Sequence, residues 1–386
     1  MPTLSTLAMQ TRKAGLRLLT SIVGMLHSLL TIHTFRTSKG TGNDNVASET
    51  EYLEGITAQR ALDVIQKFLD DNPLAITGDG DAISSGAIML ATAVKLSQQS
   101  RKLPTSFKLP IKVKPFSIPR RGGSHTDIFL NRYRGNKVAV KRVRTYTSDW
   151  GLSPEEKEAV RHDIFVACLQ WRQLRHQNIL PLHGIIGLAG AAYVIPWRER
   201  GNIRYYINNA SPEPDTSQRM KWMSDIANGL LFLHKNHRFH GNLRSEKILI
   251  SDDGVAQLTD LEMSSFTKYW SEHRIQGKYL GIRWMAPEVL KGANRSPSSD
   301  VFSFGLVCIE IFTGNVPFPQ VICTEACRQM MNGERPDRPE TMPDECWHLV
   351  KQCLDVRSLS QTYHGYVRSP INASVSIESG EVGSLG

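Results

Sequence analysis

The sequence predicts an α+β fold of two lobes, a small strand-rich lobe followed by a larger helical one, with an N-terminal helical extension in front. Three observations predict it. The apolar period switches from helical to alternating near residue 108, and returns to mainly helical after about residue 197. The 386 residues and the apolar fraction of 40% suffice for one large two-lobed domain plus extensions. No internal repeat interrupts this order, so the two lobes read as one unit with a cleft between them.

Residues 1–43 contain no Asp or Glu, the first acid being Asp44. Leu19, Ile22, Val23, Leu26, Leu29 and Leu30 recur at helical spacing behind Arg12, Lys13 and Arg17. The uncharged stretch 18–35 approaches the length of a membrane span, but seven of its residues are Ser, Thr or His, which suits hydrocarbon poorly. The segment reads as an amphipathic or disordered extension. An organelle presequence or a membrane-surface helix is the alternative, and the cytoplasm is the default location.

Residues 44–103 read as a helical region. "ITAQRALDVIQKFLD" (56–70) places Ala58, Ala61, Leu62, Ile65, Phe68 and Leu69 on one face, with Thr57 as its cap. A second helix is expected over 82–98, and the turn residues Asn72-Pro73 and Gly78-Asp79-Gly80 between them predict a helical hairpin.

Residues 104–356 form the main domain. "IKVKPFSI", "TDIFLNRYRG" and "KVAVKRVR" read as successive strands, 155–174 as a helix, and "NILPLHGIIG" and "AAYVIPW" as two further strands. The remainder to about 354 reads as mainly helical. The Ser/Gly-rich tail 357–386 lacks periodicity and reads as disordered.

Charge is unevenly placed. Residues 1–100 hold 8 Lys/Arg and 9 Asp/Glu, whereas 101–147 hold 13 Lys/Arg and only Asp127. That run raises nucleic acid or an anionic membrane as a partner. Its alternation with apolar residues favours the exposed faces of strands, and no nucleic-acid module of known spacing accompanies it. The six cysteines show no CxxC pair and no zinc-ligand spacing, and read as buried free thiols of a reducing compartment.

The chemistry lies in an ordered set of motifs. "VAVK" (138–141) puts Ala139 and Lys141 on one strand face, leaving room for a flat ring beside a phosphate-reaching ammonium. Then come "FHGNLRSEKILI", "LTDLE", "GIRWMAPE", "SSDVFSFG" and "GERPDRP". In this order the chain resembles a protein kinase over about 112–355, most closely the tyrosine-kinase-like group, with wording similar to the expanded kinase families of mushroom-forming fungi. The resemblance implies a protein-kinase-like two-lobed fold. It implies ATP held by Gly123, Ile128, Ala139, Lys141, Leu249 and Asp260, with Lys141 on the α- and β-phosphates and Asp260 on the metal. It further implies that Ala286-Pro287-Glu288 closes the activation segment and that Asp300 steadies the catalytic loop.

The departures are concentrated in the machinery. Asn242 stands where the catalytic aspartate belongs, and an amide cannot take a proton; loss of a general base costs about 10²–10⁴ in rate. Lys247 replaces the second metal ligand, and its cation opposes Mg²⁺. The phosphate-covering loop "RRGGSHTDIF" carries Arg121, Gly123 and Thr126 at its three glycine positions, so backbone approach is impaired. The helix glutamate expected to pair with Lys141 falls on Ala167, with Glu155, Glu156 and Glu158 upstream as the only substitutes. "DLE" at 260–262 puts Leu261 in an apolar slot and adds the carboxylate of Glu262. Past about Val356 the closing-helix pattern is lost, which predicts an incompletely covered large lobe.

Four simultaneous losses favour a pseudokinase that serves as a scaffold for other signalling proteins and retains weak ATP binding. An active Ser/Thr or Tyr kinase with a rebuilt site is the alternative, with Arg244 or Lys247 supplying charge; the basic surface is the third reading. Ser264, Ser265, Thr267, Tyr269, Ser271 and Tyr279 are candidate regulatory hydroxyls of the activation segment.

Overall fold

The computed structural model describes residues 44–72, 85–111, 119, 121–122, 126–143, 153–187, 191–261 and 281–355. The expected extension 1–43, the strand "IKVKPFSI" almost entirely, Gly123, Glu262, the six candidate hydroxyls and the tail lie outside them.

Two helices open the described chain, α1 (Asp44–Asp71) and α2 (Ser85–Ser100). The first starts twelve residues before the expected Ile56, so Thr57 lies inside the helix and not at its cap. The polar stretch "DNVASETEYLEG" carries no apolar stripe that could have announced it. Leu62, Ile65 and Leu69 of α1 and Met89, Leu90 and Ala93 of α2 are buried in the same core as the small lobe.

The small lobe is a five-stranded antiparallel sheet in the order β1-β2-β3-β5-β4: β1 (Arg121–Gly122), β2 (Thr126–Tyr133), β3 (Asn136–Val143), β4 (Gly184–Gly187) and β5 (Ala191–Pro196). "TDIFLNRYRG" is not a strand throughout. Arg134 and Gly135 take φ of 49° and 81°, the two-residue turn whose twist suits a hairpin. The register aligns Ile128, Lys141 and Tyr193 in one row across β2, β3 and β5. One face buries Phe129, Val138, Val140 and Val194 in a cluster of its own.

The long helix α3 (Pro154–Arg172) is nucleated by a capping box, Ser153 with Glu156, and by Pro154 in its first turn. It lies between the sheet and the α1–α2 hairpin. Trp171 at its end is fully buried, donates from Nε1 to the Leu180 carbonyl at 2.8 Å, and meets the Tyr193 ring edge-on at 5.7 Å. The hairpin is fastened to the end of α3 by polar contacts as well. Gln173 donates to Gln66 Oε1 at 3.1 Å, and Arg172 pairs with Asp70 at 3.2 Å.

The large lobe holds α4 (Ile203–Asn209), α5 (Thr216–Lys235), α6 (Pro287–Leu290), α7 (Pro297–Thr313), α8 (Cys323–Met331) and α9 (Asp344–Leu354). Helix α7 is its axis, capped by Ser296 and almost wholly buried. It stops at Gly314, whose φ of 68° and contact with the Asn208 side chain exclude a Cβ. The lobe is mainly helical, as expected. A hairpin of β6 (Ile248–Ile250) and β7 (Ala256–Leu258) follows α5, and its three-residue strands are too short for a legible period.

Five of the six cysteines are buried and all six are free thiols. Among the described residues no helix is long and apolar enough to cross a membrane.

Candidate active site

Residue order alone brings the key side chains together. The β6–β7 hairpin pairs Ile248 with Leu258, and Thr259 donates its N–H to the Lys247 carbonyl at 2.9 Å. Lys247 and Asp260 therefore leave the open end of the hairpin side by side. Asp260 takes φ of 59°, which turns its carboxylate toward the sheet above. There the row Ile128–Lys141–Tyr193 faces it.

The result is a sealed cluster. Asp260 is 3% exposed. Its Oδ2 accepts from both Lys141 Nζ and Lys247 Nζ. Its Oδ1 accepts from the Tyr193 hydroxyl at 2.6 Å. Lys141 Nζ also stands 5.9 Å from the centre of the Tyr193 ring. Burial alone would raise the Asp260 pKa, but the two ammoniums outweigh it and hold the carboxyl well below the usual carboxylate range. Lys247 bears the opposite strain. Burial, aided by the charges of Lys141 and Arg244, pulls its ammonium down to about 7 against the attraction of Asp260.

A second network presents Lys247. Glu310, 1% exposed, accepts from the Ser245 hydroxyl at 2.6 Å and from Trp284 Nε1 at 2.9 Å. Arg204 bridges Glu310 and Glu246 at 3.2 and 2.7 Å. Burial pushes the Glu310 carboxyl up to about 7. The turn Ser245–Lys247 is thus bolted to α7 from below.

The loop bearing Asn242 is held in place. The amides of His240 and Gly241 donate to Asp300 at 2.6 and 2.7 Å, and His234 Nε2 meets it at 3.1 Å. This is the steadying role expected of Asp300. Asn242 Oδ1 lies against Gly281, where a Cβ would come within 2.9 Å of it. The loop therefore holds an amide at this position, and an amide does not act as a general base. Arg295 donates to the Gly241 carbonyl, a contact with no signal in the sequence. Arg244 lies near Glu246 at 3.5 Å.

Ala167 is buried in α3 at 6% exposure, beside Cys168. Burial and the charge of Asp260 raise the Cys168 thiol well above its ordinary value. The upstream glutamates serve elsewhere. Glu156 closes the helix cap, and Glu158 is held by Arg161 at 2.8 and 2.6 Å. The carboxylate on Lys141 is that of Asp260. Ile128, Ala139 and Leu249 line the apolar core around the cluster, and Leu261 is fully buried as expected for its slot. Tyr193 is the residue that sequence reading missed, since "AAYVIPW" looks like an ordinary core strand.

These donors do not fit Mg²⁺. Both carboxylate oxygens of Asp260 are already bonded to donors, and the neighbouring ligand position is an ammonium. Octahedral Mg²⁺ needs oxygen ligands. They do fit an anion. Displacing Asp260 from either lysine would free an ammonium for a phosphate oxygen.

Two basic residues of the run lie on β3 and are paired. Lys137 pairs with Glu199, and Arg142 with Asp127 at 2.8 Å while stacking over Phe129.

Comparison with known proteins agrees with this geometry. A family model described as protein tyrosine and serine/threonine kinase matches residues 122–362. The megakaryocyte-associated tyrosine-protein kinases of Rattus norvegicus and Mus musculus are each 26% identical over 235 residues, 60% of this chain. The chain spans 47% and 43% of those two relatives. The β-sheet, the helical lobe, Lys141 and Asp260 meeting between them, and a family match over more than half its length lead to one conclusion: the chain belongs to the protein tyrosine and serine/threonine kinase family.

Proposed function

We propose that this chain is a pseudokinase, a kinase fold that acts as an interaction module in signalling and holds nucleotide weakly and without metal. One observation carries the reading: the carboxylate of Asp260 is closed off by Lys141, Lys247 and Tyr193 together. A phosphotransferase needs that carboxylate on Mg²⁺ and a base near the incoming hydroxyl. Here the first is occupied by two ammoniums and the second is Asn242. With the helix glutamate replaced by Ala167, Lys141 turns to Asp260 instead.

The two lysines leave one positive charge in excess over Asp260 when both are protonated. A triphosphate can draw on that excess, but only by breaking a buried ion pair, which keeps binding weak. ATP titrated into the full chain tests this, with melting temperature and γ-phosphate transfer as the readouts. ATP is expected to raise the melting temperature equally with and without Mg²⁺. At 100 times the Kd the stabilisation reaches about 2.7 kcal/mol. Lys141→Met and Lys247→Asn should each abolish it, and no transfer should be seen. A shift that requires Mg²⁺, accompanied by transfer to protein, would establish an active kinase with a rebuilt site. No shift at millimolar ATP would remove nucleotide and leave the interaction surface.

A further inference from the structure

A cavity of about 270 Å³, with no residue of the lysine–aspartate cluster in its lining, lies where the segment after α2 crosses α3 and β4. Its walls include Leu103, Phe165 and Ile185, each under 8% exposed. Arg101, Lys102 and Lys108 also line it, all three exposed. The acid at the cavity, Glu158, is engaged by Arg161 through two hydrogen bonds, so it does not neutralise the other three cations. Arg101 takes φ of 55°, a conformation that a residue other than glycine holds at a cost.

Gln59, Ile186 and His162 line the cavity as well, and His162 is the group that bears on a ligand. It is 5% exposed, and its Nε2 has no hydrogen-bond partner among the described residues. The ring is also bonded to the backbone of Ser97 in α2. A buried imidazole nitrogen left unpaired costs free energy until something pairs with it.

We propose that this cavity binds a small organic anion, one with an apolar body and a phosphate, sulfonate or carboxylate head. The body lies on Leu103, Phe165 and Ile185. The head meets Arg101, Lys108 and His162. Such a ligand contacts the post-hairpin segment, α3 and β4 at once, and so ties the hairpin to the helix whose inner ion pair is missing. Burial first, then Arg101, lowers the His162 pKa below its ordinary value, while Ser97, Asp163 and Glu158 oppose this. An anionic head favours the protonated ring. Uptake therefore takes up a proton, and binding tightens as pH falls. Asp163, itself raised by burial, Glu158, Arg161 and the three cations are the charged groups around the ring.

Benzenesulfonate is a suitable probe because its charge is constant across the range in which histidine titrates. It is titrated into the full chain and followed by calorimetry. Saturable binding is expected, several-fold tighter at about pH 6 than at about pH 8. The exposed double substitution Arg101→Ala/Lys108→Ala should weaken it at least about tenfold, since charge-assisted bonds are lost. His162→Gln should remove the pH dependence. Lys141→Met should leave binding unchanged, which separates this site from the nucleotide cleft. The assignment is overturned by absence of saturation, by equal affinity in the double variant, or by loss of binding in Lys141→Met. Inorganic sulfate binding as tightly as benzenesulfonate would overturn the apolar wall.

Discussion

Asp260 is, among the described residues, the carboxylate that buried Lys141 and partly buried Lys247 share. That sharing is measurable. Asp260→Asn leaves Lys141 and Lys247 buried with no counter-charge, and breaking a buried pair in this way costs about 3–5 kcal/mol. The low end is expected, because Lys247 can release its proton, and denaturant unfolding checks it. Were the carboxylate a metal ligand only, its loss would barely move the metal-free protein. Lys247 gives a second test. Its folded-state pKa is about 7, against about 10.4 in an unfolded chain. Between those values the folded chain binds fewer protons than the unfolded one, so stability rises with pH through that window. Lys247→Met lacks this contribution. The melting-temperature difference should therefore shift in favour of the native protein from about pH 7 to about pH 10. Much of this residue-level chemistry was legible. Lys141, Asp260, Asn242, Lys247 and Ala167 announce themselves by motif position, because kinase spacing is long and ordered. Tyr193 did not, since a tyrosine in an apolar strand carries no mark of where its hydroxyl ends. Nor does spacing reveal that two lysines would share one oxygen.

The elements that carry most of the unexpected structure are α1 and α2. Their apolar stripe predicted a hairpin, but not its destination. Gln66, Asp70 and Gln173 look like solvated positions in sequence, and only the fold shows them meeting. The hairpin braces α3 from outside at the level where the inner ion pair to Lys141 is absent. Ile65, fully buried, is the place to test this brace. Ile65→Ala should cost about 2–5 kcal/mol. Amide exchange should then accelerate in α3 before it does in α7, as hydrogen-exchange mass spectrometry can resolve. Equal acceleration in both helices would show that α3 does not depend on the hairpin. The misread boundaries share one cause. Strands β6 and β7 are shorter than the period that would reveal them, and the two-residue turn Arg134-Gly135 is likewise too short to interrupt the pattern of the strands it joins.

At the scale of the molecule, a single continuous core runs from Ala58 in α1 to Leu354 in α9. The two-lobed class was legible because the change of period near residue 108 is abrupt. The continuity of the core was not, because nothing in a helical stripe names the surface that covers it. That continuity bears on how the chain is made. The partners of Gln66 and Asp70 lie 107 and 102 residues downstream. At about 5–20 residues per second, the ribosome takes roughly 5–20 s to deliver them. Through that interval, among the described residues, the stripes of α1 and α2 have only each other and the short segment that carries Leu103 and Phe107. Nascent chains of this protein should therefore engage a holding chaperone soon after residue 100 emerges and leave it once α3 is complete.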